Sequence, residues 1–304
     1  MDARPKMTDG EYRLFARLVQ SHCGLHFGPD TRLLLENRVA RRMRDLAVSS
    51  FAAYHHEISH DSRRDGELSR LIDELTTNET YFFRERGQLN ALVREILPEA
   101  LASRREQGGG PVCVWSAGCS SGEEPYSIVM LAKEAGVDLG GELRVYASDI
   151  SRRMMQRARA GLYRENSFRE TEDSLRERYF VEKEGQWQVA DEIRRSVDFI
   201  HLNLMDGSKV ALLGAMDVIL CRNVIIYFDK AGKTQVIQTF EEKLRPGGHL
   251  LLGHSESLIN LSTSLELRSL RQDLVYRRPA PGLSLPDPWH LAAREAIREV
   301  EESS

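Results

Sequence analysis

Apolar positions in the first quarter of the chain recur every three or four residues, the period of a helix face and not of a strand. Residues from about 8 to 75 therefore read as a run of helices. One passes through residues 11–20 (EYRLFARLVQ), with Asp9 placed to cap it. Residues 22–29, with Gly24 and Gly28, interrupt the pattern. A second helix is predicted over 31–46, and shorter ones over 51–59 and 66–75. The expectation is a small all-helical domain ending near residue 77.

The rhythm changes after Leu97-Pro98 and the glycine run 108–110. Short apolar runs suggest strands over 112–115, 143–147 (ending at Asp149), 197–200, 216–220 and 249–252. Helical segments fall between them: one from about Gly122-Glu123, one over 152–160, and one over 230–244 that stops at Pro246-Gly247-Gly248. This alternation predicts an α/β domain with a mostly parallel sheet wrapped by helices and right-handed connections. Residues 180–189 (FVEKEGQWQV) depart from it and read as a small hairpin turning at Glu184-Gly185, inserted into the main domain. After Pro279 the composition is that of a linker, and a short charged helix is expected over 289–301.

Composition narrows the class. The chain has 304 residues, 41% hydrophobic and 29% charged, with a formal net charge of -4. That is the make-up of a soluble globular protein and not of a polycation that coats nucleic acid, so no nucleic-acid partner is expected. Cys23, Cys113, Cys119 and Cys221 form no C-x-x-C pair and no disulfide framework, which fits a reducing cytosol. The N-terminal residues lack a signal-peptide core, and no apolar run approaches the ~18 residues of a membrane span. A cytoplasmic location without direct membrane insertion is expected.

The chemistry is concentrated in the turn after the first predicted strand, Ala117-Gly118-Cys119-Ser120-Ser121-Gly122. A strand, a glycine turn and a helix N-terminus make a nucleotide-type site. The spacing is not G-x-G-x-x-G, and Glu123 and Glu124 open the helix. Carboxylates there repel a pyrophosphate. They suit hydroxyls or positive charge, such as the ribose and ammonium of S-adenosylmethionine. Asp149, ending the next strand, is placed either to accept hydrogen bonds from a ribose diol or to cap the helix that follows.

Six segments in order then resemble the CheR-type chemotaxis receptor methyltransferases: 75–85 (LTTNETYFFRE), 115–127 (WSAGCSSGEEPYS), 147–151 (ASDIS), 202–204 (LNL), 221–229 (CRNVIIYFD) and 246–256 (PGGHLLLGHSE). The resemblance spans roughly residues 8–278. It implies a doubly wound Rossmann-like methyltransferase domain over 78–278, with a small β-subdomain inserted near 170–197 and the helical domain in front. It further implies methyl transfer from S-adenosylmethionine to glutamate side chains in the cytoplasmic domain of methyl-accepting chemotaxis receptors, giving glutamyl methyl esters and S-adenosylhomocysteine at membrane receptor arrays. By position, Asn78, Thr80 and Arg84 would lie over the cofactor's amino-acid end, and Gly118 would set the turn. Glu124 would sit in the pocket, Asp149 at the ribose, and Asn203 and Leu204 near adenine. Arg222 and Asn223 would flank the cofactor, with Tyr227 near the transferable methyl. The family's longer glycine-rich hairpin turn, which goes with receptor-tail pentapeptide binding, is replaced here by the short 182–187, so no high-affinity tail binding is expected.

A glutamate nucleophile, with a reference pKa of about 4.3, is already ionised at neutral pH and needs no general base. Positioning and removal of water remain. Neither a Ser-His-Asp triad nor a metal is expected. Arg84 and Tyr227 are the candidates for orienting the carboxylate, although Arg84 could instead bind the cofactor carboxylate or form a surface ion pair, and Tyr227 could be a packed core aromatic.

Arg38, Arg41 and Arg44, flanked by Arg42, share one side of the second helix, opposite the apolar Leu35, Val39, Met43 and Leu46. The arginines form either a solvated face or, as the resemblance implies, a docking surface for an acidic receptor. Two other readings compete. His56-Glu57-Ile58-Ser59-His60 has the H-E-x-x-H pattern of zinc metalloproteases, with Glu79 downstream as a third ligand. A non-catalytic scaffold that kept the fold is the other, and intact motif positions argue against it.

Overall fold

The computed structural model describes residues 6–60 and 64–280. The linker from residue 281 and the charged helix expected over 289–301 lie outside the described residues. The helical domain consists of α1 (Asp9–Cys23), α2 (Arg32–Asp45), α3 (Phe51–His60) and α4 (Arg64–Leu75). Thr8, and not Asp9, caps α1: its hydroxyl accepts from the Glu11 N–H at 3.3 Å, and the Glu11 carboxylate accepts from the Thr8 N–H at 2.9 Å. This reciprocal capping box satisfies two orphan donors, which a lone aspartate does not. Asp9 instead pairs with Arg32. Phe15, Leu35, Val39, Tyr54 and Leu71 are fully enclosed in a core of the domain's own.

A helical run follows: α5 (Arg86–Ala91), a π turn (Leu92–Ile96) and α6 (Leu97–Glu106). Leu97-Pro98 does not break it. Pro98 enters in the first turn of α6, where its missing N–H is tolerated, and the preceding turn has already left α-type bonding.

The sheet is then laid down by β1 (Val112–Ala117), α7 (Glu123–Glu134), β2 (Leu143–Asp149) and α8 (Arg152–Ala160). A small insertion comes next, with β3 (Leu162–Tyr163), α9 (Asp173–Tyr179), β4 (Phe180–Lys183), β5 (Gln186–Val189) and α10 (Asp191–Arg195). The chain returns through β6 (Val197–His201), α11 (Gly207–Ala211), β7 (Met216–Cys221), α12 (Lys230–Lys243) and β8 (Leu244–Leu252), and closes with β9 (Glu266–Ser269) and β10 (Leu274–Arg277). The sheet order is β6-β2-β1-β7-β8-β10-β9. The first five strands are parallel, and β10 and β9 are antiparallel. The sheet is doubly wound: from β1 the chain builds outward through β2 to β6, then crosses back to β7 and β8. The crevice between these halves, at the strands' C-terminal ends, is where ligands bind in such sheets.

The antiparallel edge pair goes beyond the strands expected from the sequence. It is short, and only Val275 is fully buried within it, so no sustained alternation marks it. The hairpin does turn at Glu184-Gly185, both left-handed with φ of 52° and 72°, the signature of a two-residue primed turn. β3 joins it as a third strand, so the insertion's sheet begins at Leu162, ahead of the expected 170.

Candidate active site

The crevice is lined from strand ends that lie far apart in sequence: Gly118 to Ser120 after β1, Asp149 and Ile150 at β2, Leu202 to Leu204 after β6, and Arg222 to Val224 after β7. The segment after α4 (Thr76 to Thr80, with Arg84) closes one side, and Cys23 and Leu25 close another. The space amounts to about 950 Å³, part of it open to solvent. Every residue expected around the cofactor lines it: Asn78, Thr80, Arg84, Gly118, Glu124, Asp149, Asn203, Leu204, Arg222, Asn223 and Tyr227.

The turn after β1 is built for close approach. Gly118 has φ 83°, and a Cβ there would lie 2.4 Å from Val224 Cγ2. The N–H groups of Gly118 and Cys119 both donate to the Ser148 carbonyl, at 2.7 and 2.9 Å. Ser120, also left-handed at φ 48°, donates its N–H to Asp149 Oδ2 at 2.9 Å. The other carboxylate oxygen of Asp149 accepts the Ser151 N–H at 2.8 Å. Asp149 thus ties the ends of β1 and β2 together as well as lining the crevice. Its burial pushes the carboxyl pKa up, against the pull of those N–H donors.

The two glutamates that open α7 have different fates. Successive helical residues are turned by about 100°, so they cannot face the same way. Glu123 is buried, accepting from the Ser121 and Ser167 hydroxyls at 2.8 and 3.0 Å, and does not line the crevice; burial raises its pKa. Of the two carboxylates expected to serve a ligand, only Glu124 lines the crevice. Glu124 accepts from Ser116 Oγ at 2.6 Å and from Arg222 Nη1 at 3.1 Å. Arg222, whose side chain is 2% exposed, also contacts Glu85 Oε2 at 3.1 Å and the Arg84 carbonyl at 2.5 Å. One guanidinium therefore sits between two carboxylates. Of these three side chains, Glu124 and Arg222 line the crevice and Glu85 does not.

Arg84 is half-buried. Its Nη1 donates to the Glu79 carbonyl at 3.0 Å, and it has no carboxylate partner among the described residues, so the surface ion pair with Glu85 is not formed. The Tyr227 hydroxyl likewise has no hydrogen-bond partner among the described residues, while its side chain packs against the core cluster that includes Trp115, Ile219 and Phe240. The Asn203 side chain is engaged on both sides, donating to the His22 carbonyl at 2.6 Å and accepting from the Met205 N–H at 3.0 Å. The helical domain closes over the same loops. Leu25 pairs with Phe228, and the His26 N–H donates to the Tyr227 carbonyl at 2.8 Å. Sequence reasoning missed Cys23 and Leu25 as lining residues, because nothing local marks a helix end as a wall of a remote site.

Two family models cover the chain: the all-alpha domain of CheR methyltransferases over residues 10–76 and their SAM-binding domain over 78–273. The chain belongs to the CheR methyltransferase family. Chemotaxis protein methyltransferase 2 of Vibrio cholerae is 36% identical over 280 residues, covering 91% of this chain and 96% of that protein. The chemotaxis protein methyltransferase of Escherichia coli K12 is 33% identical over 272 residues, covering 88% and 91%. Among solved structures, the N-methyltransferase NodS of Bradyrhizobium japonicum WM9 superposes with a TM-score of 0.35 at 16% identity, over 64% of this chain and 96% of that one. The first two findings assign this CheR chain as a methyltransferase of chemotaxis with an S-adenosylmethionine-binding domain.

Outside the crevice the candidates separate. On α2, Arg41 and Arg44 are exposed, and Arg41 reaches Glu74 at 3.4 Å. Arg38 donates to the Glu74 carbonyl. Arg42 turns inward: its fork meets both oxygens of Glu67, at 3.0 and 2.9 Å, and Tyr54 donates to the same carboxylate at 2.8 Å. Arg42 therefore holds α2 to α4 and is not part of a free basic face. The metalloprotease reading is not supported. His56 and His60 stack at 4.9 Å, Glu79 pairs with Arg169 at 2.9 Å, and no group of three metal-ligating side chains converges among the described residues. No helix among them is long and apolar enough to cross a membrane.

Proposed function

We propose that this chain transfers the methyl group of S-adenosylmethionine to glutamate carboxylates in the cytoplasmic domains of methyl-accepting chemotaxis receptors, releasing glutamyl methyl esters and S-adenosylhomocysteine. The observation that carries this reading is the crevice lining. It offers a guanidinium without a carboxylate partner (Arg84), a phenol without a hydrogen-bond partner (Tyr227), and no imidazole. Such a lining suits a nucleophile that arrives ionised and has to be oriented, not deprotonated.

The residues fit the cofactor. Gly118 lets the turn after β1 pack at φ 83° against Val224, Glu124 suits an ammonium, and Asp149 at the end of β2 suits ribose hydroxyls. Leu204 and Leu202 offer an apolar wall for adenine. Asn203 serves by anchoring that wall to the end of α1, since its amide is already engaged. Asn78 and Thr80 border the amino-acid end, and Asn223 presents the strand-end loop. The bound cofactor supplies an activated methyl group on a sulfonium. The chain's own work is to exclude water, hold Arg84 beside the incoming carboxylate, and let the Tyr227 hydroxyl donate to it. Arg84 must guide that carboxylate without clamping it, because a tightly paired carboxylate is a poor nucleophile.

On the same reading the exposed Arg41 and Arg44, with Arg38, meet the acidic receptor, and the enzyme works in the cytoplasm at receptor arrays. The two-residue hairpin turn leaves no extended edge loop for a tail pentapeptide, and calorimetry with such a peptide should register no micromolar binding. The main test is transfer of labelled methyl to receptor cytoplasmic domains, read as base-labile methanol. Tyr227→Phe and Arg84→Ala should lower turnover while cofactor binding persists. Wild-type turnover in both, or no base-labile label on any receptor, would overturn the assignment.

A further inference from the structure

The loop after β7 that carries Asn223, Val224 and Tyr227 into the crevice does not hold itself. Asn223 is left-handed, with φ 58°, a conformation an isolated asparagine tolerates but does not favour. Behind the loop lies Glu256, which does not line the crevice. Its Oε2 accepts the N–H of Asn223 at 2.7 Å and of Gly253 at 2.8 Å, and its Oε1 accepts the N–H of Val224 at 2.8 Å and of Ile226 at 3.3 Å. Four backbone donors on one carboxylate exceed what a strand end needs. Three of them belong to a single short loop, so one side chain fixes its path. Gly253 completes the socket: a Cβ there would come within 2.9 Å of both the Asn223 backbone nitrogen and its Nδ2. On the front, Val224 fills the space beside Gly118. The loop is held between the cofactor turn and the Glu256 carboxylate.

We infer that Glu256 is a positioning residue for methyl transfer, acting through the backbone of residues 223–226 to set where Tyr227 and Asn223 stand in the crevice. The inference rests on the methyltransferase reading above. A carboxylate that only stabilised the β8 end would affect folding and nothing else. Charge-assisted hydrogen bonds to backbone N–H groups are short and strong, and an amide of the same shape cannot replace them, because its NH₂ would face two of the donors.

The test compares Glu256→Gln with two other variants in the full chain. Gly253→Ala keeps the carboxylate's charge but crowds the Asn223 backbone nitrogen and Glu256 Oε2, which would lie 2.9 and 3.0 Å from the new Cβ. Asp217→Asn removes a carboxylate at the opposite end of β7, where it accepts from Cys113 N–H at 2.8 Å and Arg104 at 3.0 Å. In Glu256→Gln and Gly253→Ala, kcat should fall about tenfold or more, as for loss of a charge-assisted hydrogen bond. Amide exchange at 223–226 should accelerate in both. Asp217→Asn should lower the melting temperature and leave kcat and that exchange unchanged. Unaltered exchange at 223–226 in Glu256→Gln overturns the inference, as does faster exchange with wild-type kcat. If the wild type binds S-adenosylhomocysteine but methylates no receptor, the functional reading fails. The exchange comparison still reports whether Glu256 holds the loop.

Discussion

Replacing Gly118 by alanine probes the cofactor turn at its tightest point. Two effects add. The backbone sits at φ 83°, where an L-residue is disfavoured by about 1–2 kcal/mol. The new Cβ would meet Val224 Cγ2 at 2.4 Å and Cγ1 at 3.3 Å, an overlap relieved only by moving Val224, and overpacking of this kind costs about 1–3 kcal/mol. The sum is about 2–5 kcal/mol of destabilisation, and for a domain of this size it corresponds to a fall in melting temperature of roughly 4–20 °C. Val224→Ala in the same chain removes both offending methyls but not the backbone term. The double variant should therefore regain about 1–3 kcal/mol relative to additivity. Thermal melts of the four proteins of this cycle, with and without S-adenosylhomocysteine, measure both quantities. A Gly118→Ala protein that melts and binds like wild type, or one that Val224→Ala fails to rescue, would refute the steric account of the turn.

Four further outcomes follow from the geometry. Glu124→Gln should weaken cofactor affinity by about 10- to 100-fold, the worth of one charged hydrogen bond, while Arg222 keeps Glu85 and the domain stays folded; calorimetry at constant salt reads this. Arg42→Ala should destabilise the helical domain by about 3 kcal/mol, since Glu67, with 7% of its side chain exposed, would lose its bidentate partner; Arg41→Glu should leave melting within about 0.5 kcal/mol of wild type yet weaken salt-sensitive receptor methylation. His249, buried against Arg268, has its pKa lowered by burial to about 3. Between pH 3 and the ordinary value of 6.5 the unfolded chain binds a proton that the native one does not, so stability should fall as pH drops through that window. Denaturant melts of His249→Gln should show a shallower acid slope than wild type, and an unchanged slope would reject the assignment.

Much of this architecture was legible in local patterns. The bounds of α8 match the expected 152–160, and Glu184-Gly185 announced the hairpin turn. The crevice residues were legible through the family resemblance, most of them in short motifs at strand ends and Asn78, Thr80 and Arg84 in the segment after α4. The edge strands β9 and β10 were not, because each has only 4 residues, too few for an alternation of period two to stand out.

Fate within a motif was a different matter. Glu123 and Glu124 are alike as sequence, yet one is sealed against Ser121 and Ser167 and the other faces the crevice. Arg41 and Arg42 are alike too, and only one is free of the core. Nothing local to Glu256 marks it as the acceptor for a loop some thirty residues away. The sequence alone therefore determined the order of the parallel strands and the helices between them, the strand-end chemistry and the family, because spacings of two and 3.6 residues and motif identity are local properties of the chain. Tertiary structure alone decided which carboxylate meets which guanidinium, which donors share Glu256, and that the end of α1 walls the crevice. Those contacts exist only once distant strands close into one sheet.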